Sequence, residues 1–77
     1  HEDPFLARLE LKKILSSFLP DHPLAPYVNI FLAELDLLTD RIEQAATTLA
    51  RDDLAYTGRA RLLRLLRQAD TYAMQGE

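Results

Sequence analysis

Residues 35–46 read LDLLTDRIEQAA, and whether the chain bends within them decides the fold. From Tyr27 to Thr57 there is neither Gly nor Pro, so no strong breaker interrupts a helix there. Val28, Phe31, Leu35, Leu38, Ile42, Ala45 and Leu49 recur at alternating spacings of three and four, an a/d heptad pattern that reads as core. Asn29, Asp36, Asp40, Glu43 and Thr47 fall on the opposite side, which the pattern turns toward water. Ile30, Leu32 and Leu37 widen the apolar surface in the first half only. On this reading residues 24–52 form one helix of roughly 40 Å. Against it, Asp40 and Glu43 stand at capping-box spacing, and Thr39 and Asp40 are helix-start residues. A turn at 39–40 would give two helices of about 14 residues each.

Working outward toward the N-terminus, Asp3 is an N-cap and Pro4 suits the first helical position. Ala7, Leu11, Ile14, Leu15 and Phe18 then share one face. Phe5, Leu6 and Leu9 form a second apolar patch on the other side. A surface helix packed on one side has no use for such a patch, so these residues are candidates for contact with further protein. Pro20 ends the helix, because the residue before a proline is pushed out of the α region. The segment PDHPLAPY, residues 20–27, is then a connection. Asp21 and His22 fill the turn, and Pro23 or Pro26 sits in the first turn of the next helix.

Toward the C-terminus, Ala55, Gly58, Leu62, Leu65, Ala69 and Tyr72 continue the spacing of three and four and read as the core face of a last helix. Asp52 or Asp53, or alternatively Thr57, would cap it. Arg61, Arg64 and Arg67 form a ridge on its outer side. Tyr56, Ala60, Leu63 and Met74 make a second, weaker stripe that a second chain would cover. No segment alternates as a strand does. The expected class is all-α: a small antiparallel bundle of three helices, or four if the chain turns at 39–40.

Seventy-seven residues make one small domain, residues 1–77. A chain of this length buries only about 60% of its unfolded surface. The absence of Cys removes disulfides and thiolate metal sites as a remedy. Stability then comes from helix packing, from a partner or from a longer chain. The start at His1 rather than Met, and the end on Gly76-Glu77, fit a fragment of a longer protein. No apolar run approaches the ~20 residues of a membrane span, and no signal peptide is visible; a soluble, cytoplasmic chain is the expectation. Net charge is −3, which makes nucleic acid a poor partner. The charge is uneven: residues 26–50 hold one Arg against four acids, a balance of −3, and residues 51–77 hold five Arg against four acids, a balance of +1.

If the chain turns at 39–40, it resembles a degenerate tetratricopeptide repeat, a 34-residue helix-turn-helix unit. Pro23 matches the family's late-repeat proline, and the next unit begins at Pro26. Leu32-Ala33 match the large-small pair of its first helix, Asp40 the turn Gly, Ala45 the small residue of the second helix and Leu49 the bulky position after it. Ala69, Tyr72 and Gly76 match the small, aromatic and turn-Gly positions of a following unit, and residues 5–19 the second helix of a preceding one. The likeness spans about 50 residues. It departs from the family at Asp36, where an aromatic is usual, at Asp40, at Asp52 and in stretched spacing. It implies a concave scaffold that holds a peptide or partner subunit.

Chemistry is sparse. His22 lacks the further ligands of a metal site and the partner of a catalytic base. The carboxylates of residues 36–43 read as a solvated helix face, the hydroxyl residues have no His at motif spacing, and two glycines make no phosphate loop. No catalytic, metal or cofactor-binding residue is expected, and the chain reads as non-enzymatic. The arginine ridge reads first as surface ion pairs, each worth about 0–1 kcal/mol, and alternatively as a dock for an acidic segment. The expected function is a protein–protein interaction module holding a partner protein or peptide, with Phe5, Leu6, Leu9, Tyr56, Leu63, Arg61, Arg64 and Arg67 as candidate contacts. A homo-oligomerisation domain is the alternative. A nucleic-acid-binding helical domain is a third, disfavoured by the acidic total and by the lack of aromatics among the arginines.

Overall fold

In a computed structural model covering residues 3–76, α1 spans Pro4–Ser17, α2 Ala25–Leu38, α3 Ile42–Leu49 and α4 Gly58–Gln75. No strand occurs among the described residues, and His1 lies outside them. The all-α expectation holds in its four-helix form, and the single helix over 24–52 does not. α2 packs against each of the other three helices and α3 packs against α4, while α1 packs against α2 alone. The shortest dimension of the molecule is 18 Å, about two helix diameters.

The turn that splits residues 24–52 is built differently from the capping box that its spacing suggests. Asp40 takes φ 62, in the left-handed region. The Arg41 N–H donates to the Asp36 carbonyl at 2.7 Å and the Asp40 N–H to the Leu37 carbonyl at 3.2 Å. This is a Schellman ending of α2, with an aspartate where Gly is usual. Aspartate tolerates that conformation better than most residues, but still at some cost. Arg41, rather than Thr39 or Asp40, then begins α3, and no side chain caps it. The second helix has only 8 residues, far below the length at which a helix is stable alone. Replacing Asp40 with Gly is expected to stabilise the fold by about 0.5–1 kcal/mol, and Asp40→Val to destabilise it by more. Urea midpoints at unchanged slope check both signs.

The two ends of α1 follow the sequence. Asp3 Oδ1 accepts the Phe5 N–H at 2.9 Å, and Pro4 is the first helical residue. In the 18–24 connection His22 is structural. Its ring stacks on Phe18 with centroids 4.0 Å apart, and its Nδ1 accepts the Leu24 N–H at 3.0 Å. Pro26 sits in the first turn of α2.

The core is where the sequence reading needs correction. One apolar cluster joins Leu15, Ala25, Leu32 and Leu54, with Leu11, Phe18, Val28 and Tyr56 packed against it. A second joins Ala33, Ala45 and Leu49, with Leu37 beside them. On α2 the buried residues are Ala25, Pro26, Asn29, Ile30, Leu32, Ala33 and Asp36. Phe31 and Leu38, assigned to the core by the heptad spacing, are 51% and 83% exposed. Asn29 and Asp36, assigned to water, are 2% and 0% exposed. The same inversion occurs on α4. Leu62, Leu65 and Tyr72 face solvent, while Ala60 and Thr71 are buried. Ala55 and Gly58 are exposed as well, and α4 starts after Thr57, so Asp52 and Asp53 do not cap it.

Candidate protein-interaction surface

The inversion has a local cause at the C-terminal end of α3. The last carbonyls of a helix have no partner within it and carry the negative end of its dipole. Three side chains from the neighbouring helices supply donors. Asn29 of α2 donates to the Thr48 carbonyl at 2.8 Å. Arg64 and Gln68 of α4 donate to the Leu49 carbonyl at 2.8 Å and 3.2 Å. Arg64 also bonds Asp52 at 2.9 Å and lies over the Tyr56 ring, 4.3 Å from its centroid. The Tyr56 hydroxyl accepts from Asn29. The polar faces of α2 and α4 therefore turn inward because their targets are inside.

Burial raises the Tyr56 phenol above its ordinary pKa, against the opposing pull of the Asn29 hydrogen bond and of Arg64. A raised folded value means that the unfolded chain gives up this proton first. The contribution is fully present below the ordinary phenol value of about 10 and is lost as pH rises through the folded value. Stability is expected to fall above about pH 10, and Tyr56→Phe to flatten that decline. Chemical denaturation between neutral and alkaline pH checks both.

A second polar centre joins α1, α2 and the α2–α3 turn. Asp36 is fully buried, and Arg8 Nε donates to its Oδ1 at 2.8 Å. Arg41 Nε stands 3.8 Å from the same oxygen. The Arg41 guanidinium also lies over the Phe5 ring, 5.5 Å from the centroid. Phe5 thus keeps an exposed face while one side meets a cation.

With polar groups turned in, apolar groups are left outside. Leu62, Leu65, Leu66, Ala69 and Ala73 follow one another at helical spacing along α4. All five are exposed, Leu62 by 59% and Leu65 by 53%. Tyr72, beside them, is 79% exposed. Phe31 and Leu38 project from α2, and Phe5, Leu6 and Leu9 from α1. A 570 Å³ groove between α2 and α4 is lined by Glu34, Leu37, Leu38, Arg67, Asp70, Ala73 and Met74. A 540 Å³ cleft separates α1 from α3, with Asn29 and Leu32 of α2 among its lining residues and Arg8, Lys12 and Arg51 around it.

The candidate residues read from the sequence do not form one surface. Phe5, Leu6 and Leu9 are exposed together. Leu63 is half-buried and Tyr56 belongs to the internal network. The arginine ridge is divided. Arg61 is exposed, but Arg64 reaches into the end of α3. Arg67 lies 3.2 Å from Glu34 and bonds Asp70. The Arg67–Glu34 contact is an ion pair without hydrogen-bond geometry, since Arg67 Nε is buried and unbonded. Phe31, Leu38, Leu65 and Leu66 were missed as surface residues. Their helical spacing is visible in the sequence, but spacing alone does not say which of two faces is covered.

Among the described residues, no group of three His, Cys, Asp or Glu side chains comes together as a metal site. No helix of the described residues is long and apolar enough to cross a membrane. Compared with protein-family models, curated proteins and solved structures, the chain matches none.

Proposed function

We propose that this chain is a non-enzymatic protein–protein interaction module whose working surfaces are the outward apolar faces of its helices. The observation that carries this reading is α4: its leucine stripe faces solvent while Arg64, Arg67, Gln68 and Thr71 face inward. Water-facing leucines at helical spacing are the recognition pattern of helix-in-groove contacts, and contiguous apolar patches mark interaction sites. Arg59 and Arg61 are exposed and have no ion pair among the described residues. Electrostatic preference for an acidic partner therefore rests on them rather than on Arg64 and Arg67, which are committed internally.

The tetratricopeptide-like reading is compatible with this function and is proposed with it. Its supports are the turn at Thr39–Arg41, the left-handed Asp40 at the turn-Gly position, and Ala33 and Ala45, both fully buried at the small positions. Ala69 and Tyr72, the matching positions of a following unit, lie on the outward α4 face, where such a unit would need a covering helix.

Photo-crosslinking residues placed singly at Leu6, Phe31, Leu38 and Leu65, with exposed Thr47 as control, test the proposal in cells that express the chain natively. Discrete protein adducts at the apolar positions and none at Thr47 are expected. Equal labelling at Thr47, or no adduct at any apolar position, would overturn it.

A further inference from the structure

We infer that α1 is a detachable strap: it opens away from α2 while α2, α3 and α4 stay folded. The asymmetry lies in the packing. α2, α3 and α4 each pack against the other two and close a three-helix unit, whereas α1 packs against α2 alone. A cleft of 540 Å³ separates α1 from α3. Of the 14 residues of α1 only Leu15 is buried, whereas seven of the 14 on α2 are. The free energy of a local opening follows the buried contact that is lost, so α1 is the helix with least to lose.

What holds α1 is separable from what holds the rest. Leu11, Leu15 and Phe18 pack into the first apolar cluster, and Arg8 pairs with Asp36. The second cluster, of Ala33, Ala45 and Leu49, includes no residue of α1. Neither do the bonds from Asn29, Arg64 and Gln68 to the end of α3. The 18–24 connection suits a hinge because its hydrogen bonds stay on the α2 side. The His22 N–H donates to the Leu19 carbonyl at 2.9 Å, the Leu24 N–H to His22 Nδ1 at 3.0 Å and the Ala25 N–H to the His22 carbonyl at 3.1 Å. None of the three involves α1.

The charge pair permits the motion as well. Removing Asp36 alone strands Arg8, but opening brings both charges to water together and leaves no unpaired buried charge. Once released, α1 has 14 residues, a marginal length for a helix without tertiary support. Opening bares Ala25, Leu32 and Leu54, with which Leu15 packs, and the Asp36 carboxylate. The strap therefore controls access to an apolar strip and an acid that the closed chain hides.

Native-state hydrogen exchange at low urea tests the inference. After correction for intrinsic rates, the amides of Leu11 to Leu15 are expected to exchange at least about 10-fold faster than central amides of α2 and α4. Their rates should also rise less steeply with urea, because opening α1 exposes less surface than global unfolding. Leu49→Val trims the second cluster, which the open state keeps. It should speed exchange in α4 about 5-fold and leave α1 unchanged, since closed and open states lose equally. The strap is overturned if α1 exchanges no faster than α4, if the urea slopes are equal in all four helices, or if Leu49→Val speeds α1 as much as α4.

Discussion

Replacing Asp36 with Ala lowers stability by about 3–5 kcal/mol, an expected loss that threatens the fold outright. A domain of this length holds about 4–12 kcal/mol in total. The size follows from burial. The Asp36 carboxylate is fully buried, Arg8 bonds it at 2.8 Å and Arg41 lies 3.8 Å away. The Arg8 side chain is itself only 20% exposed. Removing the acid leaves that guanidinium buried without its counter-charge, so the loss reflects desolvation more than the value of the pair. Two comparisons isolate this cause. Asp36→Asn preserves shape but not charge and should cost nearly as much. The double replacement Arg8→Met with Asp36→Leu removes both charges together and should recover most of the loss. Equilibrium denaturation reads all three. A loss below about 1 kcal/mol for Asp36→Ala would mean that water reaches the site and that the carboxylate is not buried.

Leu49→Ala is expected to cost about 2–5 kcal/mol. Leu49 is 1% exposed and packs with Ala33, Ala45 and Leu37 where α2, α3 and α4 meet. Its carbonyl is also the acceptor for Arg64 and Gln68. Collapse into the cavity would displace those bonds, so relaxation is hindered and the cost should fall toward the upper end. Leu65→Ala removes the same atoms from a side chain that is 53% exposed and should cost no more than about 1 kcal/mol. The pair of measurements tests the phase of the helices directly. Similar losses at both positions would place Leu65 in a core and undo the surface argument.

Much of this was legible in advance. Asp3 with Pro4, Pro20 and Pro26 mark the ends of α1 and the start of α2 by backbone chemistry that no tertiary contact overrides. The inward face of α1 was legible in Ala7, Leu11, Leu15 and Phe18, although Ile14 from the same stripe is 42% exposed. The turn at 39–40 was visible as an alternative, though for a different reason. Asp40 serves as the left-handed residue ending α2 rather than as the cap of α3. What could not be read was the phase of α2 and α4. Both helices carry two workable faces, one apolar and one holding small residues with well-placed polar groups. Hydrophobic spacing chooses the first. On α4 the structure uses the second, and on α2 it buries Asn29, Ala33 and Asp36 together with Ile30 and Leu32, because Asn29, Arg64 and Gln68 meet carbonyls at the end of α3 and Asp36 meets Arg8.

The sequence by itself determined an all-α chain, the limits of α1, the place of the 18–24 connection and the two alternatives for residues 24–52, since these depend on residues close together along the chain. Only the tertiary structure decided which side of α2 and α4 is inside. That choice depends on where α3, eight residues long, places its unsatisfied carbonyls, and on how closely Ala33 and Ala45 let α2 and α3 approach. Both are relations between residues distant in sequence. They set the direction of the LDLLTDRIEQAA segment: Asp36 goes in, Leu38 goes out, and the leucines of α4 are left facing water.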